Sequence, residues 1–196
     1  MKFVFIARAF GFVLNGFLKD GGISSQVRNE VKAEYKAIVL RSKDIGKKNR
    51  LLTSYVFGAY FMAMVRKTGL TPEENLEIIK KGLSTSRVVK MFMGSADSYF
   101  DEKNMASRRV WAEETHQRKY ENDWVVDIID IPNGFGMDYT RCGLVELCKD
   151  EGCPELAKYM CSLDFLLADV MGVHLERTGT LAEGADKCDF RYTRKG

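Results

Sequence analysis

Histidine, proline and tryptophan are scarce in this chain, and each scarcity narrows what it can be. Three prolines in 196 residues argue against long extended linkers, and neither internal repeats nor low-complexity tracts interrupt the sequence. The two histidines, His116 and His174, leave little material for a zinc centre. Cys142-x5-Cys148-x4-Cys153 also lacks the short paired spacings such centres use. A Cys161, Cys188 and His174 site is conceivable, but no spacing demands it, so neither metal nor cofactor is expected. Gly11-x4-Gly16 is not followed by the Lys-Ser/Thr of a phosphate loop, and no Gly-x-Ser-x-Gly elbow is present.

Charge of one sign is equally lacking. A net charge of +3 provides no basic stripe for nucleic acid. The densest basic run, Arg41 to Arg50, reads as a solvated helix end and loop. No apolar run reaches the about 20 residues of a bilayer span. Phe3, Val4, Phe5 and Ile6 follow Lys2, but Arg8 interrupts them and no small-residue cleavage site follows. Phe3 to Phe17 would suit a homo-oligomer contact or a surface-lying amphipathic segment. Five cysteines, an odd number without a secretion signal, suggest reduced thiols and a cytoplasmic protein.

What is present has two halves. A hydrophobic fraction of 45% and a charged fraction of 29% suit one globular domain, 1–196, with a sizeable core. Residues 1–122 read as mainly helical. Val27, Val31, Tyr35, Ile38 and Val39 follow helical spacing. Leu51 to Val65 is apolar on almost every side, as in a helix buried at the centre of a core. Thr71-Pro72-Glu73-Glu74 is a helix start with a capping box, ahead of Leu76, Ile78, Ile79 and Leu83. A further helix is expected over 86–100, with Val88, Val89, Met91, Phe92 and Met93. A charged helix over 105–120 carries Val110 and Trp111.

Residues 123–196 change period. Trp124 to Ile131 reads as a strand closed by Pro132-Asn133-Gly134, with Phe135 to Cys142 as its return. One helical pattern then runs from Leu144 to Val170, broken at Gly152-Cys153-Pro154. Val173 to Leu181 and Lys187 to Thr193 alternate as a closing β-hairpin with Gly184 at its bend. Helices followed by strands imply an α+β fold in which the helical part packs on a small antiparallel sheet.

Two clusters carry chemistry. Cys161 and Asp164 share a helical face beside Met160, Leu163 and Leu167, where a carboxylate requires a cationic or hydrogen-bonding partner. On the last strand, alternation places Cys188 with Phe190 and Asp189 with Arg191 on opposite faces. Either thiol could be a small core residue, or the hairpin could line a pocket against the Cys161 helix.

Phe135-Gly136-x2-Tyr139-x2-Cys142, Cys161-x2-Asp164 and Arg177-Thr178-x-Thr180-Leu181-Ala182-x-Gly184-x3-Cys188-Asp189-Phe190 resemble the L-2-amino-thiazoline-4-carboxylic acid hydrolase family. The resemblance covers about the last 75 residues. It implies hydrolytic opening of a small cyclic amidine to an N-carbamoyl-cysteine-type product, with a small-molecule substrate as partner. Such chemistry needs an activated water or thiolate and a grip on the substrate carboxylate. On that footing Asp164 binds the amidinium or acts as base, and Cys161 or Cys188 is the nucleophile. Glu183 is a second acid/base candidate. Arg177 or Arg191 would hold the carboxylate, with Thr178, Asp189 and His174 as further substrate contacts. The helix-then-hairpin ending also loosely resembles 4-vinyl-reductase-type domains, which implies binding of a small hydrophobic molecule without catalysis.

Overall fold

The computed structural model describes residues 2–44, 49–118 and 120–195, and the side chains of these except at 2–4, 88 and 92. Residues 45–48 of the basic run, and the Phe3, Val4, Val88 and Phe92 side chains, therefore lie outside the described residues.

Ten α-helices and four strands are seen among the described residues, helices first. Helices α1 (Lys2–Asp20) and α2 (Ser25–Arg41) pack on α3 (Leu52–Lys67). As its all-round apolar sequence predicts, α3 buries Tyr55, Val56, Tyr60, Phe61, Met62 and Met64. Helix α4 (Pro72–Thr85) starts where the capping box requires: the Thr71 hydroxyl accepts from the Glu74 amide, and the Glu74 carboxylate from the Thr71 amide. On α1, Leu14, Phe17 and Leu18 enter the core, whereas Phe5 and Phe12 are 74% and 81% exposed. No helix of the described residues is long and apolar enough to cross a membrane.

The helix expected over 86–100 is two, α5 (Arg87–Met93) and α6 (Ala96–Phe100). Gly94 separates them at φ +77°, a left-handed conformation that glycine alone adopts freely. Helix α7 (Glu102–Gln117) follows, capped by the Asp101 carboxylate, which accepts from the Lys103 and Asn104 amides.

Strands β1 (Val125–Ile131) and β2 (Gly134–Arg141) form the expected hairpin. Asn133 takes φ 59° at its tip, which asparagine tolerates better than most residues. The helix read from Leu144 to Val170 is three: α8 (Gly143–Asp150), α9 (Ala157–Cys161) and α10 (Leu163–Met171). Gly152, at φ +69°, and Pro154 make the first break; Ser162 alone separates α9 from α10.

The closing hairpin is looser than its sequence suggested. Strand β3 spans Val173–Glu176 rather than reaching Leu181, and β4 spans Cys188–Arg194. Residues 177–187 between them form a loop with a short 3₁₀ turn, which Gly184 ends at φ +88°. The chain leaves the ladder because Asp189 captures it: one carboxylate accepts from the Thr178 and Gly179 amides, each at 2.9 Å.

The sheet is antiparallel, in the order β1-β2-β4-β3. Its inner face carries Phe135, Met137, Tyr139, Cys188, Phe190, Tyr192, Val173 and Leu175, all buried against the helices. Its outer face carries Asp127, Asp138 and Asp189, aligned across three strands. Gly134 sits so close to β4 that a Cβ there would lie 1.9 Å from the Tyr192 carbonyl oxygen. Gly134→Ala must therefore separate the strands, at about 1–3 kcal/mol. The expected outcome is a calorimetric melting temperature lowered by about 2–12 °C; an unchanged value would show that the hairpin can yield there.

Candidate functional site

Asp164 stands in the first turn of α10, two residues beyond Ser162, which separates α10 from α9. Arg177, the first residue after β3, crosses to it. The guanidinium donates to the Asp164 carboxylate at 2.6 Å and to the Cys161 carbonyl oxygen at 3.2 Å. It also lies over the rings of Phe165 and Phe190, at 5.0 and 5.2 Å. Only 8% of the Arg177 side chain is exposed. Its position is secured from behind, because the two residues that follow it are the ones clamped by Asp189. Burial raises the Asp189 carboxyl, but hydrogen bonds from the Thr178 hydroxyl and the Gly179 and Thr178 amides outweigh it and bring the pKa down to about 2.

Burial has the opposite outcome at Asp164. Desolvation lifts its pKa to about 7 from an ordinary 3.8, with Arg177 opposing the rise. Yet 29% of the Asp164 side chain is accessible. Tyr99, Arg108, Cys142 and Cys161 combine the same two properties, partial exposure and ionisation shifted foremost by burial. Each of these groups is mostly wrapped by protein and keeps part of its surface exposed.

Three thiols share this environment with Asp164. Burial, then the Asp164 charge, raises the pKa of Cys161, against Arg177. Burial takes Cys142 up to about 12, against hydrogen bonds from the Val145 and Leu144 amides. Burial also raises Cys188, whose sulfur accepts from the Leu181 amide at 3.2 Å. Aromatic rings form the floor: Tyr139 on Phe190 at 5.4 Å, Phe190 on Tyr192 at 5.9 Å, and Tyr192 on Tyr99 at 5.2 Å between centroids. Burial foremost raises the pKa of Tyr99, Tyr139 and Tyr192, and the Asp164 charge adds to the rise.

Of the residues singled out from sequence, Cys161, Asp164, Arg177 and Cys188 come together here. The others do not join them. Thr178 and Asp189 clamp the loop. Glu183 accepts from the Thr180 hydroxyl at 2.7 Å and closes the 3₁₀ turn. Arg191 points to the outer face and, with Lys187, pairs Asp138, each at 2.6 Å. His174 is also outside, 3.2 Å from Glu176. Strand alternation is the reason for Arg191 and His174: each neighbours a buried residue and so faces away.

Sequence reasoning passed over Tyr99, Arg108, Tyr192 and Cys142 as site residues. Cys142 and Tyr139 lie in the quoted motif, a signal that was readable. Tyr99 and Arg108 come from α6 and α7, whose charge pattern resembles that of a solvated helix.

Open crevices elsewhere are chemically plainer. One of about 510 Å³ is lined by Arg41, Lys43, Arg66, Asp150 and Glu151, already matched as ion pairs. Another, of about 450 Å³, lies between α1 and α2 with Arg8, Lys32 and Lys36 at its edge. Neither is lined by Asp164. Among the described residues, no three His, Cys, Asp or Glu side chains are grouped to hold a metal ion.

Fold and site thus define an α+β protein whose closing hairpin and α10 bring an ionisable cluster against a set of buried aromatic rings. The model of the L-2-amino-thiazoline-4-carboxylic acid hydrolase family matches residues 49–192, from the approach to α3 through Tyr192 in β4, and the chain belongs to that family. The family description supports a hydrolase role in general terms. No curated protein and no solved structure matches the chain significantly.

A carboxyl raised in the folded state stabilises the fold most below its ordinary value, where it is protonated in both states. That contribution is lost as pH rises through the folded pKa. Asp164 should therefore weaken the fold progressively from about pH 4 to about pH 7, given its rise from 3.8 to about 7. In urea titrations across this range, stability of the native protein should fall with pH relative to Asp164→Asn. Parallel curves would count against the raised pKa.

Proposed function

We propose that this protein hydrolyses a small cyclic amidine of the 2-amino-thiazoline-4-carboxylate type to an N-carbamoyl-cysteine-type product at the Asp164 cluster. The observation that carries the reading is a partly exposed carboxyl held at 2.6 Å by a buried guanidinium and raised by burial to about 7. Such a group takes and returns a proton near neutral pH.

The ring carbon between sulfur and nitrogen is a poor electrophile until the amidine is protonated. Asp164, ionised, removes a proton from water as the oxygen adds to that carbon. The carbon–sulfur bond then breaks, the departing sulfur takes the proton from Asp164, and the new hydroxyl becomes the carbamoyl oxygen by returning to solvent the proton that had activated the amidine. The sum is one water added across one carbon–sulfur bond, leaving a free thiol and a carbamoyl group on nitrogen. Arg177 positions the carboxylate and favours its ionised form. Burial raises the pKa of Cys142, Cys161 and Cys188, so thiolate is scarce at neutral pH. This supports activated water over a covalent thiol route, with Cys161 and Cys188 as walls of the site.

The test is turnover of 2-amino-thiazoline-4-carboxylate, followed by thiol release and the mass of the carbamoyl product. Asp164→Asn should lower kcat/KM by about 10²–10⁴-fold, and the native rate should fall below pH 7 with the ionised fraction of Asp164. Cys161→Ser and Cys188→Ser should each retain turnover. Loss of activity in either with Asp164 intact would replace the water route by the thiol route. A folded protein without turnover that holds an apolar ligand would favour the non-catalytic, 4-vinyl-reductase-like alternative.

A further inference from the structure

At the other end of the aromatic floor stands a second guanidinium, with a different set of partners. Arg108, half-buried on α7, donates to the Tyr99 carbonyl oxygen at 2.5 Å and lies 3.1 Å from the Met105 sulfur, both through the same nitrogen. Its guanidinium carbon sits 4.1 Å above the Tyr99 ring centroid and 4.9 Å from that of Phe135. Arg177, Arg66 and Arg118 each meet a carboxylate. Among the described residues Arg108 meets none. Nor does Arg50, which donates to the Ser107 hydroxyl at 2.9 Å and adds its own charge to the surroundings of Arg108. A guanidinium offers five donors, and one desolvated without a counter-anion is costly.

The two ends of the floor share one set of rings. Arg108 lies over Tyr99 and Phe135, both rings meet Tyr192, at 5.2 and 5.5 Å, and Tyr192 stacks on Phe190, over which Arg177 sits. Phe135 and Tyr192, 5.5 Å apart, bridge the middle, with Phe190 continuing to Arg177. The Arg177–Asp164 pair and a guanidinium without a carboxylate partner thus stand at the two ends of one run of rings. Arg177 is poorly placed to serve a second anion, since Asp164 already occupies it.

We propose that Arg108, assisted by Arg50, is the anchor for the substrate carboxylate, holding a small zwitterionic ring with its amidinium toward Asp164. The identity of the ligand rests on the cyclic-amidine reading above; the anion site rests on Arg108 and its surroundings. Planar guanidinium and carboxylate match through paired hydrogen bonds, which would fix the orientation of the ring across the floor.

The experiment compares calorimetric binding of thiazolidine-4-carboxylate, a ring without the reactive amidine, with binding of its methyl ester, alongside turnover of 2-amino-thiazoline-4-carboxylate and of 2-amino-thiazoline. Native protein should bind the acid about 10- to 100-fold more tightly than the ester. Arg108→Gln should erase that preference and raise KM for the carboxylated substrate by a similar factor, with kcat little changed. Arg108→Gln should lower kcat/KM for 2-amino-thiazoline-4-carboxylate about 10- to 100-fold more than it lowers kcat/KM for 2-amino-thiazoline, which has no carboxylate. Arg108→Lys, which keeps the charge, should restore part of the preference and decides the matter if Arg108→Gln does not fold. Equal binding of acid and ester by native protein, or an undiminished preference in folded Arg108→Gln, would overturn the anchor. Turnover indifferent to Arg108 would overturn it while leaving the hydrolytic reading in place. Arg108-dependent binding without turnover would uphold the anchor and remove the hydrolytic reading.

Discussion

The contact between Arg177 and Asp164 is the constraint on which the site depends. It joins the hairpin that closes the sheet to the helix that covers it, at 2.6 Å and with Arg177 almost wholly buried. A buried guanidinium cannot be left without its partner cheaply, so the loop carrying Arg177 must return to the same place each time the chain folds. Asp189 provides for that return by capturing Thr178 and Gly179. The loop is thus held at adjacent points from opposite sides of the sheet, and the Asp164 carboxyl is desolvated without being sealed off.

The sheet divides the work between its faces. Outside, Asp127, Asp138 and Asp189 oppose one another across three strands, a row that like-charge repulsion would disfavour. Each is settled separately: Asp127 by His116 at 3.0 Å, Asp138 by Arg191 and Lys187, Asp189 by the 178–179 loop. Inside, the same strands present Phe135, Tyr139, Phe190 and Tyr192 as a nearly continuous aromatic surface. Polar groups that meet this surface come from elsewhere: Arg108 from α7, Asp164 from α10, Arg177 from the loop. Strands supply the floor, and helices and loop supply the charges.

The sequence was most legible where local physics is strong. The capping box at Thr71, the all-round apolar helix at 52–67, the strand at 125–131 and its turn were readable because cap, period and turn chemistry act within a few residues. The opposite facing of Cys188 and Asp189 followed from strand alternation. Less legible were the breaks at Gly94 and Ser162, and the end of β3 at Glu176, where a carboxylate twelve or so positions later in the chain overrides the local strand pattern. Glu183, Arg191 and His174 were singled out for their chemistry and lie outside the cluster, since residue type alone does not say which way a side chain faces.

By itself, then, the sequence determined the α+β class, the order of helices before strands, the exclusion of a membrane-spanning helix, and the motifs that carry family membership. These depend on composition, period and short spacings, all of which are local. Only the tertiary structure decided that Asp164 and Arg177 meet beside the rings of Phe190, Tyr192 and Tyr99, brought from separate stretches of the chain. It also decided that Asp164 titrates near 7 while Asp189, the same residue type, titrates near 2. The reason is physical: an ionisation constant depends on how much water a group loses and which charges and donors replace it, and both depend on parts of the chain that local sequence does not bring together.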